Sequence, residues 1–210
     1  IKSSALSALA QVAGPALLKR LSTIINSLTD SIINEDGVRS ELLQALTNVL
    51  LSVDSDDGCH PLLQQILSLV RHEDSKRVAV IYEVLPQFFN STVIDYSVYT
   101  HDIVTSCIMA LDNEDKEIAK NSFETLSVLV KKQSKESLEK LVRPAQQSLS
   151  FVGKPGQDLY VFTLPKGPNC LLPIFLHGLM YGTSDQRELS AKGITCLLYT
   201  SDAADDMQCV

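Results

Sequence analysis

The sequence lacks the features that mark several common classes of protein. It contains no run of eighteen apolar residues, so no transmembrane helix is predicted. Its N-terminus has no signal-peptide apolar region. The formal net charge of −7 argues against a protein that binds nucleic acid through bulk charge. The five cysteines are scattered without a CxxC pair, which favours reduced thiols and a cytoplasmic location.

Motifs for catalysis and metal binding are missing as well. No phosphate-binding loop, GxGxxG, HExxH or GxSxG motif occurs. Cys59 and His60 are adjacent, which is poor geometry for two ligands of one metal, and His72 does not complete a zinc spacing. His177 is expected on a helix surface or lightly buried, and Cys107 on an apolar stripe. We therefore predict no catalytic residue, no metal site and no cofactor.

The apolar residues that are present recur with the 3.6-residue period of an α-helix almost throughout. Clusters of Gly, Pro, Asn and Asp separate the periodic segments. Pro86 lies inside one segment and is expected to kink that helix or end it early, because proline lacks the backbone N–H. The predicted helices span approximately residues 2–13, 15–34, 37–53, 59–72, 75–90, 95–112, 115–133, 135–150, 169–182 and 184–197.

The helices form pairs that share a signature. A first helix ends at a short acidic turn, and a second helix then opens with polar residues and becomes apolar. The anchor residues of the second helices are Leu46, Val84, Leu126 and Leu197, and successive anchors are 38, 42 and 71 residues apart. The first two gaps match the period of roughly 40 residues in HEAT and armadillo repeats, and the third contains one extra helix and a long loop. The sequence therefore predicts an all-α fold, a HEAT/armadillo-type α-solenoid of antiparallel helix pairs, over residues 1–152 and 169–195.

Residues 153–168 interrupt the helical pattern with three prolines and three glycines. Long loops in repeat proteins often carry binding residues, so one interpretation is a partner-binding loop; the other is a plain surface insertion. The candidate binding residues in this loop are Lys154, Tyr160, Phe162 and Lys166.

A basic stretch precedes the loop, with two glutamates interleaved among its cations. It is either a solvated helix face or an electrostatic contact for RNA or an acidic partner, since a local basic patch can bind even when the net charge is negative. Its cations are Lys131, Lys132, Lys135, Lys140 and Arg143.

The two ends of the chain suggest a fragment. The chain starts at Ile1 without a methionine, and residues 196–206 look like the in-frame translation of a transposase-type sequencing adapter. We therefore expect residues 196–210 not to be native, and the natural protein to continue beyond Thr195.

Three motifs near the C-terminus point to a known family. They are Phe162-Thr-Leu-Pro-Lys-Gly-Pro168, Leu171-Leu-Pro-Ile-Phe-Leu-His-Gly-Leu179, and Gly182 to Gly193. They resemble the giant HEAT-repeat general-control translational activators, a family that senses stalled ribosomes and activates the initiation-factor-two alpha kinase.

The resemblance implies a cytoplasmic, non-enzymatic scaffold segment with no catalytic residues to carry over. It implies the ribosome as a partner, with ribosomal RNA contact possible, and a kinase and a co-activator that bind other parts of the full-length chain. It implies neither a membrane nor DNA as a partner. The alternative is another HEAT-repeat protein, a karyopherin-like carrier or a complex-assembly factor.

Overall fold

The computed structural model describes residues 19–152 and 169–199, and within these ranges the chain is built from helices and short turns. Three short 3-10 helices occur at Asp36–Val38, Ser97–Tyr99 and Asn169–Leu171. The predicted all-α class is confirmed. The α-helices described are α1 (Leu21–Asn34), α2 (Arg39–Leu51), α3 (Asp56–Val70), α4 (Ser75–Ser91), α5 (Thr100–Ala110), α6 (Lys116–Lys132), α7 (Lys135–Leu149), α8 (Leu172–Tyr181) and α9 (Ser184–Tyr199).

Most predicted helices agree with the structure, and their boundaries differ by a few residues. Helix α3 begins three residues earlier than predicted, with Asp56 and Asp57 in its first turn. Negative charge is favourable there because the N-terminus of a helix carries a partial positive charge. The predicted helix 2–13 lies outside the described residues, as do the loop 153–168 and the end of the tail, residues 200–210.

Of the two outcomes expected for Pro86, an early end of its helix does not occur, and a kink stays a prediction. Helix α4 continues from Ser75 to Ser91 with Pro86 inside it. Proline removes one backbone hydrogen bond, but Phe88 and Phe89, just beyond it, are fully buried. Burial of two aromatic side chains, each about 1.5–3 kcal/mol, offsets the missing bond and keeps the last turns helical.

Two of the acidic turns between paired helices provide helix caps. The side chain of Asp74 accepts a hydrogen bond of 3.0 Å from the Lys76 amide at the start of α4. Asp115 does the same for the Glu117 amide at the start of α6, at 2.9 Å. An N-cap of this kind contributes about 1 kcal/mol to helix stability. These two turns therefore mark where α4 and α6 begin, whereas the acidic turn at 35–37 gives α2 no side-chain cap.

The described residues belong to two compact units, one ending at Thr100 and the other beginning at His101. In the first unit, α1 packs against α2, α3 and α4. The anchor residues Leu46 and Val84 are buried, as their spacing predicts. Two ion pairs join neighbouring hairpins. They connect Arg39 with Glu83 and Arg77 with Asp30.

In the second unit, α7, α8 and α9 pack against one another, and the 3-10 helix at Asn169–Leu171 packs against α6. The anchor Leu126 and the apolar-stripe residue Cys107 are buried, as predicted. Helices α8 and α9 approach closely because glycine occupies one side of their contact. An added Cβ at Gly193 would lie 2.4 Å from the ring of Phe175, which is fully buried.

We expect Gly193→Ala to destabilise the second unit, because the new methyl group would lie 2.4 Å from the fully buried ring of Phe175. Overpacking costs about 1–3 kcal/mol and the helix propensity of alanine returns up to about 1 kcal/mol, so we expect a net loss of about 1–2 kcal/mol in the free energy of unfolding. Urea unfolding followed by circular dichroism measures it.

The matched control is Gly37→Ala, because an added Cβ there meets nothing within 4 Å. We expect its midpoint to stay at the wild-type value or rise slightly, because alanine loses less conformational entropy than glycine on folding. Equal effects of the two substitutions would contradict the close-packing account of the α8–α9 contact.

Candidate interaction surface

The structure brings three of the predicted cations to one end of a helical hairpin. Lys131 and Lys132 lie in the last turn of α6, where positive charge is favoured by the partial negative charge of a helix C-terminus. Lys135 opens α7 after a two-residue connection, and Ser134 caps that helix by accepting a hydrogen bond from the Ser137 amide. All three lysines are exposed. We call Lys131, Lys132 and Lys135 the lysine cluster.

The other two predicted cations, Lys140 and Arg143, are exposed further along α7. They line an open groove of about 450 Å³ that continues to the start of α9. Its lining mixes charges of both signs, so the groove is polar and accessible without being strongly basic throughout. The remaining lining residues are His101, Glu139, Pro144, Gln147, Thr183, Asp185 and Gln186.

The predicted loop residues Lys154, Tyr160, Phe162 and Lys166 lie outside the described residues. Their role in binding stays a prediction.

Sequence reasoning missed the contacts that join α7, α8 and α9. A carboxylate oxygen of Glu139 lies 3.0 Å from His177 Nε2. The side-chain amide of Gln186 donates to the backbone carbonyl of Glu139 at 3.1 Å. The ring of Tyr181 packs on the ring of His177, with centroids 4.9 Å apart. Glu139 is thus held by a tertiary partner. Only 11% of the His177 side chain is exposed, so this histidine is more deeply buried than the sequence predicts.

Helix α8 also exposes a face of large apolar side chains. Leu176, Leu179, Met180 and Tyr181 are between 39% and 63% exposed. The sequence carried a signal for this face, because α8 is apolar on all sides apart from His177 and Gly178. A helix of that kind is normally covered on more than one side.

Cys59, His60 and His72, the candidate metal ligands in the sequence, have other partners. The Cys59 thiol donates to the carbonyl of Asp95 at 3.2 Å. Burial, followed by two nearby carboxylates, raises the pKa of Cys59 above its ordinary value. His60 contacts the hydroxyl of Tyr99, and His72 accepts a hydrogen bond from a backbone amide at the start of the next helix. Within residues 19–152 and 169–199, no three His, Cys, Asp or Glu side chains are grouped as metal ligands.

No helix of the described ranges has both the length and the apolar content needed to span a bilayer.

We predict that Cys170 resists alkylation in the folded chain. Burial raises the pKa of this thiol to about 12, whereas an unfolded cysteine has a pKa of about 8.5. The thiolate, which is the reactive form, is therefore scarce at a pH of about 8 until the chain unfolds. Iodoacetamide labelling with and without guanidinium, followed by mass spectrometry, tests this. Native labelling at the denatured rate would show that burial does not control this thiol.

Known proteins resemble the chain over most of its length. The model of the family described as "Stalled ribosome sensor GCN1-like, HEAT repeats" matches residues 1–166. The eIF-2-alpha kinase activator GCN1 of Saccharomyces cerevisiae is 51% identical over 208 residues, which cover 97% of this chain. The protein of the same name from Dictyostelium discoideum is 28% identical and covers 94%. The stalled ribosome sensor GCN1 of Mus musculus is 24% identical and covers 97%.

The chain spans only 8% of the length of each of these relatives. The family model matches well over half of the chain, and the helix pairs described above agree with it. The resemblance seen in the sequence motifs is thereby confirmed, and the chain belongs to the GCN1-like family of HEAT-repeat stalled ribosome sensors.

Proposed function

We propose that the chain is a non-enzymatic scaffold segment of a cytoplasmic, ribosome-associated translational activator, one that promotes activation of the eIF-2-alpha kinase on stalled ribosomes. The observation that carries this proposal is 51% identity, over 97% of the chain, to a yeast protein named as an activator of that kinase. Relatives from mouse and human are named as stalled ribosome sensors. The chain corresponds to 8% of these proteins, so we assign the kinase and the co-activator to other parts of the longer molecule.

The chemistry of the described residues supports binding and not catalysis. The pKa values of Cys59 and Cys170 are raised, so both thiols stay protonated and unreactive near neutral pH. The glutamate nearest a histidine, Glu139, is engaged in a contact that joins two helices. The alternative of a karyopherin-like carrier has no observation in its favour beyond the shared repeat type.

The lysine cluster is the part of the chain that we propose to contact the ribosome. Its three cations are exposed at one end of the α6–α7 hairpin. The surface of a ribosome is rich in RNA phosphates, and cations that replace condensed counterions on phosphates gain affinity from their release. A local cluster can use this effect although the whole chain is acidic.

We predict that reversing the cluster, with Lys131, Lys132 and Lys135 all changed to Glu, weakens co-sedimentation of the chain with purified ribosomes. Losing three phosphate contacts should also make binding less dependent on salt, with the slope of log affinity against log salt falling in magnitude by about 2–3. Co-sedimentation at several salt concentrations measures both effects.

The control is a second triple reversal at exposed lysines elsewhere, Lys76, Lys120 and Lys192. It changes the net charge of the chain by the same amount. If both triple variants lose binding equally, the net charge of the chain and not the lysine cluster governs the association. If neither loses binding, the cluster is an ordinary solvated surface.

A further inference from the structure

Helix α8 ends in an exposed aromatic ring. Tyr181 is the last residue of α8 and is 61% exposed. One side of its ring packs on His177 with centroids 4.9 Å apart. His177 is in turn held by Glu139 of α7 at 3.0 Å, and only 11% of its side chain is exposed. One side of the Tyr181 ring is therefore held by His177, and the other side is accessible to solvent.

The same contacts connect Tyr181 with the first half of α7. Residues four apart on a helix lie on one face, so Glu139 and Lys135 are neighbours along α7. Glu139 contacts His177 and His177 contacts Tyr181, so two successive contacts connect the tyrosine with the face of α7 that carries Glu139 and Lys135.

The carboxylates on this face reduce its positive charge without cancelling it. Residues 131–143 contain five cations and two glutamates, Glu136 and Glu139. Glu139 is already paired with His177. Glu136 is exposed and opposes an approaching anion, so the face favours a partner that also gains from contact with the aromatic ring.

We propose that this face binds an unpaired stretch of RNA, with one base stacked on Tyr181 and the adjacent phosphates on Lys131, Lys132 and Lys135. The proposal rests on the proposed function, because it names the chemistry by which the same surface contacts a ribosome. Unpaired bases stack on exposed aromatic rings, whereas the bases of a duplex are already stacked on each other. An aromatic platform beside lysines is the arrangement by which proteins hold single strands.

An acidic peptide is the competing partner. It would use the lysine cluster through charge alone and would gain little from a flat ring that is open on its outer side. The position and exposure of Tyr181 therefore favour RNA over a peptide, and the two partners differ in how much they depend on that ring.

The test measures fluorescence anisotropy of a labelled oligouridine of about 12 nucleotides with the whole chain. Tyr181→Ala should weaken binding about tenfold, which is within the range for loss of one stacked base. Tyr181→Phe should bind like the wild type, because the ring remains. Lys135→Gln should lower the magnitude of the salt slope by about 0.7. Circular dichroism checks that each variant keeps its helices.

A matched control exists in the first unit. Tyr99 also packs on a histidine, with centroids 5.5 Å from His60, but no cluster of lysines stands next to it in sequence. Tyr99→Ala should leave RNA binding unchanged. The proposal is wrong if Tyr181→Ala binds as the wild type does, if a duplex of equal length binds as tightly as the single strand, or if poly-glutamate binds better than the oligouridine.

Ribosome co-sedimentation of the same variants separates this proposal from the function on which it rests. A chain that sediments with ribosomes but does not bind the oligouridine refutes the RNA proposal and leaves the scaffold function standing. A chain that binds the oligouridine through Tyr181 but does not sediment with ribosomes supports the RNA site and refutes ribosome association by this segment.

Discussion

The surface of the second unit depends on the close contact between α8 and α9. Gly193 leaves room for the buried ring of Phe175, and Gly178 does the same for Ser190 and Val142. A side chain at either glycine would push α8 outward, because protein interiors have few voids into which a methyl group can fit. The distance of α8 from its neighbouring helices in turn determines whether His177 can contact Glu139. Two glycines, which have no side chains, thus determine the position of the exposed Tyr181.

The helices could be predicted because the buried apolar residues recur in the sequence with the period of an α-helix. Each helix buries one stripe, and the stripe recurs with the helical period whatever the helix packs against. Helix ends depend on single side chains, which explains the early start of α3. Pro86 shows the limit of a local rule. The phenyl rings beyond it are fully buried, and their burial cannot be read from the five or six residues around the proline.

Only part of the candidate surface could be predicted from the sequence. The lysines of the cluster are consecutive or about one helical turn apart, so they form a local pattern in the sequence. The pair of Glu139 and His177 joins residues 38 apart, and no local pattern reports a contact at that separation. Tyr181 carried a weak signal, since a short helix that is apolar on all sides must expose some large side chains. Which of them are exposed, and beside which charges, follows from tertiary packing alone.

The negative charge of the chain and the basic surface are compatible because of how charge is arranged along α6. The acidic turn with Asp115 caps the start of this helix, and Lys131 and Lys132 occupy its last turn. Each group faces the helix end whose partial charge stabilises it. A helix of 17 residues separates them by about 24 Å, well beyond the screening length of about 8 Å at physiological salt. An anion at the lysine cluster is therefore barely affected by the acidic turn.

Helix α7 runs back from the same end, so Lys135 adds to the cluster and not to the acidic turn. The formal net charge argues against binding through bulk charge, and it places no limit on an anion held at this end of α6.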